Sequence, residues 1–199
     1  MHYDPRHDHH GLPYDPFYAL VVPRPIGWIT SVSEEGVVNL APYSFFNAVS
    51  SHPPVVMFSS SGRKDSLRNI EKTGEFVCSL ATWDLREAMN QTSGHYAPDV
   101  SEPEVAALEM APSILVAPPR VEASPVALEC RYLRSIELTT SEGAAVDGTV
   151  VLGEVVQIHI DERVLTDGRV DLAKVRPIAR LGYMDYTVVD TIFSMRRPD

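Results

Sequence analysis

Apolar and polar residues change over within a few positions along most of the chain, the short period of a mainly β protein. PRPIGWITSV, from Pro23 to Val32, reads as a strand entered through two prolines, neither of which can donate a ladder hydrogen bond. SEEGVV predicts a hairpin turn with Gly36 at its tip, returning as a second strand over Val37 to Ala41. Pro42 reads as a break, and SFFNAVSS is too short and mixed to assign. PPVVMFSSS predicts a buried strand, and SLRNIEKTG a short helix, with Asp65 as its N-cap, Leu67 and Ile70 on one face and Gly74 as its stop.

EFVCSL follows as another strand, LREAMNQT and PEVAALEM as helices, and SGHYAPDVS as the loop between them. VALECRYLRSIELTT and TVVLGEVVQIHI are long β runs separated by the turn SEGAAVDG. Antiparallel strands of that length coil as they twist, which favours a strongly curved sheet or barrel. DLAKVRPIARLG predicts a short helix ended by Pro177, with a last strand between Tyr183 and Val189. With no repeat or composition shift, 199 residues predict one mainly β domain with inserted helices from position 17 to 199, preceded by an arm over 1–16.

The formal charge of −10 argues against nucleic acid or an anionic membrane as the main partner. Cys78 and Cys130 each lie in an apolar run and predict buried free thiols, hence a reducing, cytoplasmic compartment. No signal-peptide pattern and no bilayer-length apolar run occurs. The arm, MHYDPRHDHHGLPYDP, carries His2, His7, His9 and His10. Their spacing is irregular and the prolines prevent a helix from fixing a geometry, so a mobile or draped arm is expected rather than a metal site.

Two segments carry candidate chemistry. In SGRKDSLRNI, the cations Arg63, Lys64 and Arg68 surround a predicted helix start among Ser59, Ser60, Ser61, Gly62 and Ser66. Free N–H groups, the positive end of the helix dipole, hydroxyls and cations suit a phosphate. The spacing is not that of a Walker loop. In NLAPYSFFN, Asn39, Ser44 and Asn47 offer polar groups for the edge of a heterocycle, and Tyr43, Phe45 and Phe46 offer walls for its faces.

Taken with PRPIGWITSV, NLAPYSFFNAVSSHPPVVMFS, RKDSLRNIEKTGEFV, GEVVQIHID and RLGYMDY, in that order, the chain resembles the flavin reductase-like, FMN-binding split-barrel family from about Phe17 to its C-terminus. The resemblance implies a six-stranded Greek-key split β-barrel, a homodimer, and FMN near the subunit interface. It places Trp28, Thr30 and Ser31 along the isoalloxazine and ribityl chain. Asn39, Ala41, Pro42, Tyr43, Ser44 and Asn47 would hold the ring edge, and Arg63, Lys64, Asp65 and Ser66 the phosphate. Tyr183 stands where the family often has a second glycine.

The implied activity is reduction of flavin or another acceptor through bound FMN, with NADH or NADPH as donor. Hydride transfer between stacked rings needs little from protein acids or bases, so no catalytic side chain is nominated. His52 and His159 read as structural; His95 and Tyr96 are better placed to line a substrate side. A non-catalytic FMN electron-transfer protein would use the same pocket, and a Ser-His-Asp hydrolase lacks its GxSxG elbow.

Overall fold

The computed structural model describes residues 1–7 and 10–198, so His9 lies outside the described residues. After a single helical turn, α1 (Phe17–Leu20), β1 (Gly27–Val32) and β2 (Val38–Tyr43) form the first hairpin. Its turn closes by Gly36 N–H to Ser33 O at 3.0 Å, with Gly36 at φ 87°, a conformation that needs no Cβ. The predicted break at Pro42 does not occur: Pro42 lies inside β2, opposite Trp28. β2 is an edge of its sheet, and an edge strand tolerates a residue without an N–H.

The unassigned SFFNAVSS contains β3 (Phe46–Ser51), paired with β4 (Pro54–Ser60). β4 alternates between buried and part-exposed positions instead of being buried throughout. α2 (Asp65–Thr73) buries Leu67 and Ile70 and ends at left-handed Gly74, whose N–H reaches Ile70 O at 2.9 Å. Its N-cap is Lys64, with no side-chain cap; Asp65 is the first helical residue and pairs with Arg68, correcting the predicted cap. β5 (Glu75–Leu80), α3 (Arg86–Gln91) and the single turn α4 (Glu102–Val105) follow. The helix predicted over PEVAALEM stops early, with Ala107 at φ 50°.

β6 (Val126–Thr139) and β7 (Ala145–Ile160) are the long strands, and register shifts between them bend the pair. After α5 (Leu172–Val175), β8 (Ile178–Arg180) pairs with the short strand Arg24–Pro25 and with β9 (Tyr186–Val188).

The main sheet has the order β2-β1-β5-β6-β7-β4-β3, seven strands where the resemblance implies six. Its two edge strands are consecutive in the chain, joined only through Ser44 and Phe45. Six strand spacings in a flat sheet would separate the edges by about 29 Å. The link from Tyr43 to Phe46 spans at most ~11 Å. The sheet must therefore curl until its edges approach, and Ser59 N–H donates to Phe45 O at 2.8 Å, carrying the β3–β4 ladder on into the link.

One apolar cluster lies inside the curl, around Ile29, Phe58, Phe76 and Val151, with Leu67 and Ile70 of α2. A second lies on the other face, around Trp28, Leu40, Met89, Val121 and Ile178. β1 is thus buried on both faces, Ile29 serving one cluster and Trp28 the other, as strand alternation requires.

Candidate functional site

The junction between the sheet's edges forms one wall of a cleft of about 300 Å³. β2 and the link contribute Asn39, Ala41, Pro42, Tyr43, Ser44 and Phe45; the start of α2 contributes Lys64, Asp65 and Ser66. Thr92 to Tyr96, after α3, close the far side together with Glu102 of α4. The local reason is the curl. It brings β2 to the place where the β3–β4 pairing already sets the end of β4, which leads into α2, beside the link between β2 and β3.

Asn39 Nδ2 donates to Ser66 Oγ at 2.8 Å, tying β2 to the first turn of α2. Asp65 is paired with Arg68, whose guanidinium also donates to Arg63 O at 2.7 Å. Lys64 has no carboxylate partner among the described residues, leaving its charge beside the unpaired N–H groups that begin a nine-residue helix.

Two buried hydroxyls of β2 and β1, Tyr43 Oη in the cleft and Thr30 Oγ1 outside it, have no hydrogen-bond partner among the described residues. Burial raises the Tyr43 pKa above its ordinary value, and the nearby Ser66 and Ser60 hydroxyls temper that rise without meeting hydrogen-bond geometry. Glu102, 8% exposed, accepts Leu40 N–H at 3.0 Å. Burial pushes its carboxyl up, the Leu40 N–H draws it back, and the nearby Asp65 charge raises it again.

Of the thirteen residues that the resemblance assigns to FMN, eight meet in this cleft: Asn39, Ala41, Pro42, Tyr43, Ser44, Lys64, Asp65 and Ser66, with Phe45, Ser59 and Ser61 beside them. His95 and Tyr96 join them from the facing loop. Five do not line it. Trp28 is fully buried in the second cluster, its indole Nε1 donating to Thr92 Oγ1 at 2.8 Å, so it supports the cleft's loop from behind. Thr30 and Ser31 are also fully buried, Ser31 accepting from Asn69 Nδ2 at 3.3 Å. Asn47 is exposed on β3 and its Oδ1 accepts the Ala48 N–H at 2.9 Å. Arg63 turns outward to Glu71 at 2.5 Å, because the residue next to Lys64 at the helix start points to another side.

Glu102 was not foreseen. It lies 38 positions beyond Lys64, and only an acidic residue opening a short helix marks it in the sequence. His52 is exposed beside Ser51, and His159 binds Glu129, both outside the cleft. Cys78 and Cys130 are free and buried, and burial, first, raises the Cys78 thiol pKa well above its ordinary value. Among the described residues, no group of three His, Cys, Asp or Glu could hold a metal, and no helix is long and apolar enough to cross a membrane.

A sheet rolled edge to edge, with a polar-aromatic cleft at its seam and a cationic helix start beside it, defines a mainly β split-barrel class of protein. The chain belongs to the flavin reductase like domain family, whose model matches residues 19–186. It is similar in structure to nitrilotriacetate monooxygenase component B from Bacillus cereus, with TM-score 0.89 and 32% identity over 98% of each chain. It is also similar to the 2-nitrobenzoate 2-nitroreductase NbaA of Pseudomonas fluorescens, with TM-score 0.83 and 28% identity over 100% of this chain and 96% of that one. A split barrel domain protein from Shewanella frigidimarina shares the fold at TM-score 0.83 and 22% identity, each chain covered over 100%.

Proposed function

We propose that this protein is an FMN-binding oxidoreductase that takes electrons from NADH or NADPH and passes them to flavin or another acceptor. The observation that carries the reading is the cleft's unmet bonding capacity. Tyr43 Oη is buried without a partner, Lys64 is unpaired, and the first N–H groups of α2 open beside it. A buried unpartnered hydroxyl costs about 1–3 kcal/mol, which a ligand bearing acceptors would offset. Lys64 with the helix start fits a phosphate, and the Asn39–Ser44 wall with Tyr96 opposite fits a planar polar ring.

When bound, FMN would supply the hydride-accepting ring, while the chain's residues hold and orient it. Lys64 and the N–H groups of α2 anchor the phosphate. Pro42 and Ser44 keep the ring edge close to backbone. Asp65, neutralised by Arg68, opposes the anion little. The monooxygenase component and the nitroreductase named for the Bacillus cereus and Pseudomonas fluorescens relatives favour the enzyme over the non-catalytic carrier.

A homodimer accompanies this proposal. β3 is an exposed edge, and the outer half of β6 carries the exposed apolar residues Leu133, Ile136 and Leu138. A second copy would cover both. Light scattering should give about twice the 22.0 kDa chain mass.

The deciding experiment is the visible spectrum of the purified, FMN-saturated protein, followed by anaerobic addition of NADH and of NADPH. A yellow protein bleached by either supports the enzyme. A yellow protein bleached by neither is the electron-transfer module, and failure to retain FMN overturns both.

A further inference from the structure

The cleft opens through Pro42, Ser44 and Ser93 into a second chamber of about 620 Å³. Its walls are aromatic. Tyr14 and Tyr18 come from the arm and α1, and Tyr183 and Tyr186 from the loop after β8 and from β9. Tyr14 meets Tyr183 edge-on at 5.8 Å. Gly182 lets the two segments approach, since a Cβ there would lie 2.5 Å from the Ala19 Cβ and 2.8 Å from its Cα.

The charged groups of this chamber are two guanidinium groups, Arg24 and Arg180, and one carboxylate, Asp15, with the Asn90 amide and the Ser44 and Ser93 hydroxyls as its neutral polar groups. Arg24 is 6% exposed and donates only to backbone carbonyls: Tyr18 O, Val21 O at 2.7 Å and Leu181 O at 2.7 Å. Its Nε is buried with no partner. Arg180 donates to Tyr186 Oη and Tyr183 O and lies 4.5 Å over the Tyr186 ring. Neither arginine has a carboxylate within ion-pair distance among the described residues. Asp15 accepts Phe17 N–H at 2.9 Å, which engages one of its oxygens at the start of α1.

This arrangement is unusual for the chain's composition. With 27 acidic side chains against 17 basic ones, acids are available to neutralise a buried cation, and among the described residues none lies within ion-pair distance of Arg24. Burial, and then the charge of Arg180, pull the Arg24 pKa below its ordinary value. A buried cation without a counter-charge is costly, and a bound anion would relieve the cost.

We propose that this chamber binds a small planar aromatic acid, Arg180 pairing with its carboxylate and the tyrosines flanking its ring. Arg24, its terminal nitrogens engaged by carbonyls, adds positive field from behind. The acid is held beside Pro42 and Ser44, next to the cleft assigned to FMN, which is where an electron acceptor must lie. The acceptor role rests on the flavin reading; the binding of the acid does not.

Benzoate and benzamide are isosteric probes that differ in charge, and calorimetry on the full chain, with and without FMN, separates the two readings. Benzoate should bind at least about tenfold more tightly than benzamide in both forms. Arg180→Met should abolish that preference while leaving benzamide unchanged, and Arg180→Lys should restore part of it. Equal binding of the two probes to the unmodified protein overturns the proposal, as does an unchanged benzoate affinity in Arg180→Met. Should Arg180→Met fail to fold, the wild-type preference and its reduction in Arg180→Lys decide the question. Oxidised NAD displacing benzoate and binding more tightly at the same arginine would assign the anion site to the nicotinamide nucleotide and overturn the aromatic acid. Retained benzoate preference in a protein that does not bind FMN would sink the flavin reading and leave this one standing.

Discussion

His159 Nε2 lies 2.5 Å from Glu129 Oε1, and the same fully buried carboxylate accepts the backbone N–H groups of Ile114 and Leu115 at 2.7 and 2.6 Å. One side chain of β6 therefore pins both a neighbouring strand and the loop that crosses the sheet. Burial works to raise the Glu129 pKa, but His159 and the two N–H groups together outweigh it and hold the carboxyl below its ordinary value of 4.5. A depressed carboxyl stabilises the fold above its unfolded value, and that stability is lost as pH falls through the folded value. Glu129→Gln should cost about 1.5–3 kcal/mol at neutral pH, measured by urea unfolding. The difference from the unmodified protein should shrink below pH 4.5. A difference constant across that range would remove the charge from the argument.

Lys64 and Arg63 are neighbours with different surroundings. Lys64→Ala should weaken FMN by about 1.5–3 kcal/mol, roughly ten- to a hundredfold, and riboflavin far less. Arg63→Ala, which removes a cation engaged with Glu71 outside the cleft, should leave both affinities within about threefold. Fluorescence titration of the two flavins against both variants checks this. Equal losses of FMN and riboflavin in Lys64→Ala would refute the phosphate assignment.

Tyr43→Phe removes a buried hydroxyl that has no hydrogen-bond partner among the described residues. The flavin-free variant should be as stable as the unmodified protein or about 1 kcal/mol more so, while its FMN affinity falls about tenfold. Loss of stability without loss of affinity would mean that the hydroxyl serves the fold.

Gly153 faces Phe76 across the interior, and a Cβ on it would lie 2.2 Å from Phe76 Cζ and 3.3 Å from Cys130 Cβ. Phe76 is fully buried and cannot move aside cheaply. Gly153→Ala should destabilise by about 1–3 kcal/mol, lowering Tm by roughly 2–4 °C per kcal/mol. Thermal unfolding checks it, and an unchanged Tm would show that the aromatic ring repacks.

Much of the fold was legible because it rests on local pattern. Short apolar runs bounded by prolines and turn formers marked β1, β2, β4 and β5, Gly36 and Gly74 marked a turn and a helix stop, and sheer length marked β6 and β7. β3 was not assigned, and Pro42 read as a break, because both belong to sheet edges. An edge strand carries a weak hydrophobic signal and tolerates a proline, and which strand is an edge depends on pairings between residues far apart in the chain.

The candidate site divides along the same line. The sequence by itself determined that Asn39–Ser44 and Lys64–Ser66 have the chemistry to hold a ring and a phosphate, since residue type and the start of a helix suffice for that. Only the tertiary structure decided which of them face one cleft. It sent Trp28 into the second cluster and Arg63 to Glu71, and it brought Glu102 to β2 from a distant helix. The physical reason is the curl imposed by the two-residue link between the sheet's edges. That closure selects one face of each strand for the seam, and a side chain's face is a property of the pairing, not of the residue.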